Sequence, residues 1–277
     1  MYRCDCGRFV FDLLNLGEKK YCADCAPHCE LCGRTVGVGV TYVMAEKFFC
    51  EACYPAVQPR CYVCSRSIDD KYHETPWGNV CQNCFRPERV CFTCGVQLKA
   101  GQELRLADYR VSCPTCAATA VYKVDKSLVL EVKRRLRWFP RKHISFGTVD
   151  VRKLHELRPV KSGTLLGMCQ TITAQTLTCV QVVKHQILIL FGLPREICEA
   201  SLVHELFHAW IHENVPIDRY TEAETEWLCE HMAFNFLRSI KAQDHWIRRI
   251  ESSRDQYPEV RDLKNHGQET IVRFLKR

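Results

Sequence analysis

Sixteen cysteines in the first 116 residues, arranged as eight close pairs, constrain this chain more than any other feature. Cys4 and Cys6 are followed by Cys22 and Cys25. Then come Cys29/Cys32 with Cys50/Cys53, Cys61/Cys64 with Cys81/Cys84, and Cys91/Cys94 with Cys113/Cys116. Within the four sets the two pairs are 15, 17, 16 and 18 residues apart, so one unit repeats four times. A two-residue spacer lets a tight turn aim two sulfurs at one ion. A hairpin of this length returns the second pair to the same ion and closes a tetrahedral Cys4 zinc site. Units this small bury too little apolar surface to fold unaided, so metal is expected to hold them. Gly7, Gly33 and Gly95 directly follow the second cysteine of their turns, where a positive φ is expected.

The competing use of so many cysteines is a secreted disulfide scaffold. The start, MYRCDCGRFV, has no basic segment leading into an apolar one, and no apolar run reaches bilayer length. The expectation is therefore a soluble, cytoplasmic protein in a reducing compartment, with thiolate–zinc chemistry and no membrane. The near-constant interior favours sequential sites over cross-braced ones, and His28 and His73 read as surface histidines. The arrangement resembles tandem LIM domains, and zinc modules of this kind present rigid surfaces for recruiting partners. The expected domains are a module pair at 1–55, a second pair at 58–118 and a third region at 119–277.

The formal net charge of +7 is local: residues 117–161 hold 12 Lys/Arg against 4 Asp/Glu. Each zinc-bound Cys4 site carries a charge of about −2, because four thiolates outweigh one Zn²⁺. Docking of the basic stretch against the modules is therefore expected, rather than nucleic-acid binding. Leu128, Val132, Leu136 and Phe139 fall at helical spacing there, which predicts an amphipathic basic helix ended by Pro140.

The chemistry lies further on. Residues 187–191 read as a strand, broken by Gly192 and Pro194, and a helix comes next that ends before Pro216. Inside it stands His204-Glu205-Leu206-Phe207-His208, an HExxH motif. Residues four apart share one helix face, so both imidazoles can hold one Zn²⁺ while Glu205 acts as general base on the attacking water. The third ligand should come from the next helix, which opens at Thr221. Glu226 is assigned, with Glu222 as the alternative, and Glu230 is placed one turn on as a hydrogen-bond partner to a ligand imidazole. His212 reads as an exposed helix-end residue, and His231 and Tyr220 are candidates for polarising a substrate carbonyl. Residues 171–173 and 176–183 are β-prone runs, either of which would serve as the sheet edge that takes a peptide.

The stretches ILILFGLPR (187–195), HELFHAW (204–210) and Glu226-Trp-Leu-Cys229, with cysteine modules upstream, resemble the plant "DA-one" family of LIM-domain zinc metallopeptidases. The resemblance implies an α+β zincin of the gluzincin type that cleaves selected regulatory proteins, with activation linked to ubiquitin. The expected whole is a set of small zinc-bound β-hairpin modules followed by a zincin-like peptidase domain. It would carry four structural zinc ions and one catalytic one, and act as an endopeptidase on protein substrates. The alternative is a non-catalytic LIM-type adaptor with a structural zincin-like domain.

Overall fold

The computed structural model describes residues 2–10, 14–16, 19–36, 40–44, 46–158, 165–175, 180–216, 219–247 and 267–275. Cys179 and residues 176–179 of the second β-prone run lie outside them. Among the described residues no helix is long and apolar enough to cross a membrane.

The chain divides into two compact units, residues 1–74 with 78–85, and residues 75–77 with 86–277. The first unit holds three cysteine modules. Each opens on a tight turn in which the amide after the second cysteine donates to the carbonyl of the first: Gly7 to Cys4, Gly33 to Cys29 and Ser65 to Cys61. That residue is left-handed every time, with φ +90° at Gly7, +70° at Gly33 and +61° at Ser65. Two-stranded hairpins then lead to the second pair, as in Thr41–Met44 with Lys47–Cys50 and Tyr72–Thr75 with Gly78–Cys81. Apolar cores here are minimal: Cys29, Val36 and Phe49 in the second module, Cys61, Ile68 and Val80 in the third.

The fourth module repeats the turn, with Gly95 donating to Cys91 at φ +72°. Its setting differs. Val96, Leu98 and Val111 are buried in one cluster with the core of the C-terminal region. This module groups with the C-terminal region, where its apolar side chains have their partners.

The C-terminal region is α+β. Helix α1 (Lys126–Arg135) buries Leu128 and Val132 and is capped by Asp125, whose carboxylate accepts from the Leu128 amide. It ends at Leu136, which is extended, rather than at Pro140. The reason is Trp138, which must turn inward to pack edge-on against Phe207. Strand β1 (His143–Val149), helix α2 (Val151–Leu157), strand β2 (Gly167–Gln175) and strand β3 (Val180–Leu190) come next. They form a three-stranded sheet in the order β1-β3-β2, with β3 parallel to β1 and antiparallel to β2. Ile187, Ile189 and Leu190 of the central strand are fully buried. Helix α3 (Arg195–Asn214) is buried along most of its length from Ile197 to Ile211, polar residues such as Glu199 and Glu205 included. Helix α4 (Glu222–Ser239) packs beside it and starts with a capping box, in which the Thr221 hydroxyl and Glu224 carboxylate each accept from the other's amide. Helix α5 (Gln268–Leu275) inserts Ile271 and Leu275 into the same core.

Candidate metal centres and the HExxH site

Four groups of cysteines gather their sulfurs within 4.8 Å of one another, and they are the four sets read from the sequence. Ligands about 2.3 Å from a tetrahedral zinc sit roughly 3.8 Å apart. Cys32 and Cys50 are 3.7 Å apart and Cys94 and Cys113 are 3.8 Å apart. In the first set Cys22 and Cys25 are closer, at 3.1 Å. Backbone amides pull Cys4 and Cys29 down to about 6, while neighbouring sulfurs push Cys25 and Cys53 up to about 12. Four thiols this close cannot all ionise without a cation among them, so the donor sets fit Zn²⁺.

The second kind of centre is built on α3 and α4. His204 and His208, one turn apart, hold their Nε2 atoms 3.2 Å from each other. Glu226 Oε2 lies 3.2 Å from the His204 nitrogen and 3.5 Å from that of His208. Nitrogen and oxygen ligands about 2.0 Å from a tetrahedral zinc would be roughly 3.3 Å apart. Burial alone would raise the Glu226 carboxyl, but hydrogen bonds from the two histidines outweigh it and hold the group well below its ordinary value. Burial likewise opposes protonation of His204, yet Glu226 draws its pKa upward. The three donors thus call for positive charge at their centre, and the set fits a divalent metal.

Glu205 is buried on the sheet side of α3. Burial raises its carboxyl above the usual range, against the pull of His204 and His208. It lies against the start of β2, where a Cβ on Gly167 would come 2.9 Å from its Cγ and 3.0 Å from its Oε1. Only glycine leaves that room. Residues 171–173 belong to β2, whose outer edge bears no strand among the described residues.

The alternative ligand, Glu222, is exposed at the mouth of α4 and bonds Arg158 at 2.8 Å. Glu230 is half-buried one turn beyond Glu226, and its charge acts on His204. His212 is exposed. His231 is fully buried against the rings of Trp227 and Phe234, so it is not presented to a substrate. Tyr220 is half-buried against the core, beneath the Arg219 guanidinium.

Three residues were missed from sequence. Arg158, at the end of α2, bonds the other Glu226 oxygen, Oε1, at 2.9 Å. Nothing in its local pattern marks it among the basic residues of 117–161. Cys229 places its sulfur within 4.8 Å of both imidazole nitrogens. Its burial, with the nearby charges of Glu226 and Glu205, pushes the thiol well above its ordinary value. Gly167 carries no side chain for a motif to report.

Residues 148–277 match the family model described as DA1-like, Protein DA1. Zyxin of Caenorhabditis elegans is 32% identical over 88 residues, which is 32% of this chain. The chain spans 14% of that relative's length. The zyxin match fits the cysteine modules. In its C-terminal part, behind LIM-like cysteine modules, the chain resembles the DA1-like family.

Proposed function

We propose that this chain is a zinc-dependent endopeptidase acting on selected proteins in a reducing, intracellular compartment. The observation that carries the reading is the convergence of His204, His208 and Glu226 beside a buried Glu205 at an open sheet edge. When bound there, Zn²⁺ would polarise the scissile carbonyl and acidify the attacking water. The chain's own residues do the rest. His204, His208 and Glu226 hold the metal, and Arg158 fixes Glu226 through Oε1 so that Oε2 faces the imidazoles. A carboxyl raised by burial is matched to taking the water's proton and passing it to the leaving amine, which is the role of Glu205. The outer edge of β2 offers backbone groups with which an extended substrate pairs as an added strand. The cysteine modules of the first unit serve recruitment, in keeping with the zyxin similarity.

Glu205→Gln keeps the side chain's size and removes the base. Peptide-bond cleavage should fall by at least about 10²-fold while zinc content stays at the wild-type value. Cleavage at the wild-type rate in that variant would overturn the mechanism. A wild-type protein that binds partners and cleaves none of them would favour the adaptor.

A further inference from the structure

A single buried ion pair joins the fourth cysteine module to the turn that feeds α3. Asp108 and Arg110 lie between Cys94 and Cys113, with side chains 7% and 5% exposed. Arg110 Nε donates to Asp108 Oδ2 at 2.7 Å, and Nη2 donates to the backbone carbonyl of Phe191 at 2.6 Å. The same guanidinium lies over the rings of Phe92 and Phe191. Asp108 Oδ2 also accepts from the amide of Val151, the first residue of α2. The turn is gripped from its other side as well. Gly192 donates to the Val121 carbonyl and Arg195 to that of Thr119, while residues 120–121 pair with 193–194. A Cβ on Gly192 would meet Leu106 of the module at 2.8 Å.

This pair is a poor source of stability. Asp108 Oδ1 and Arg110 Nη1 are buried with no hydrogen-bond partner among the described residues. A buried pair with unsatisfied atoms is typically no better than an apolar replacement. What a planar guanidinium between two rings does supply is direction. It aims at one carbonyl at the root of a rigid helix, and His204 stands nine residues, about 14 Å, along that helix.

We propose that Arg110, oriented by Asp108 within the folded fourth module, is a positioning residue for the His204–His208 pair, so that metal at Cys91, Cys94, Cys113 and Cys116 governs how firmly the second centre holds its own. The statement about the second metal rests on the peptidase reading, whereas the statement about the turn does not.

The test compares Cys94→Ser with Cys32→Ser in the full chain, reading zinc per chain by native mass spectrometry and amide exchange over residues 191–198. Cys32→Ser should lose one zinc and leave exchange at the turn unchanged. Cys94→Ser should lose two and expose the turn. Loss of a single zinc with unchanged exchange in Cys94→Ser would overturn the proposal. Should Cys94→Ser fail to fold, Arg110→Met retains every cysteine. It should keep the four thiolate zincs and surrender the fifth to a chromophoric chelator about 10- to 100-fold faster. A variant in α5 with a matched loss of thermal stability, such as Ile271→Ala, should transfer that zinc at the wild-type rate. Wild-type transfer in Arg110→Met, or equal acceleration in both variants, would refute positioning. If the wild-type chain holds only four zinc ions, the peptidase reading falls, and exchange at residues 191–198 alone decides the proposal.

Discussion

The third and fourth cysteine modules share one turn, one ligand set and nearly one length, yet their surroundings are opposite. In the third, only Cys61 is buried and the apolar core is three residues. In the fourth, all four cysteines are buried and the core is that of the C-terminal region. The ligand geometry is a local property, set by the two-residue spacers. The job of the module is set by the handful of side chains between its cysteine pairs, such as Leu98, Asp108, Arg110 and Val111, and by their tertiary contacts.

The sharpest way to break this comparison is to cut the same kind of side chain in each module. Leu98→Ala should lower the stability of the helical C-terminal unit by about 2–5 kcal/mol, read as a shift of its circular-dichroism melt. Ile68→Ala, in the third module, should leave that melt in place. Equal shifts would mean that the two modules are built into the protein in the same way.

A smaller effect separates the thiols. Backbone amides hold Cys4 and Cys29 near 6. Burial pushes the Cys198 thiol in α3 the other way, up to about 12, with the charge of Glu199 adding to it. A thiol raised above its unfolded value contributes stability that is complete below about pH 9 and is lost as pH rises toward 12. At about pH 10.5 the loss should reach about 2 kcal/mol in a denaturant titration. Cys198→Ala should escape most of that decline, and an identical pH profile in the two proteins would disprove the assignment.

The smallest effect concerns the one departure within the repeated turn. Ser65 adopts the left-handed φ that glycine supplies in the other three modules. Ser65→Gly should stabilise zinc retention in the third module by up to about 1 kcal/mol. No gain would show that the serine side chain compensates for its backbone.

The range of each interaction decides whether a sequence displays it. Cysteine spacing and HExxH report geometry that is closed within a few residues, so the four ligand sets and the juxtaposed imidazoles were visible. The nearness of Glu226 to the imidazoles is reachable because helix periodicity extends the same logic across a single turn. Arg158, 68 residues from Glu226 in sequence, and Arg110, 81 from Phe191, act over distances that no local pattern encodes. The fourth module's apolar partners in the C-terminal core are equally remote in sequence. Gly167 was invisible for a different reason: its role is the space it leaves.

Strand β2 reads GMCQTITAQ, with no proline and no charged residue, and its last four residues, 172–175, are exposed. Sheets that need protection from stray pairing usually place lysine or proline on such an edge. A strand left receptive to a peptide is equally receptive to another copy of itself. Concentrated protein without a bound peptide should therefore be prone to self-association, with β2 as the place where it starts.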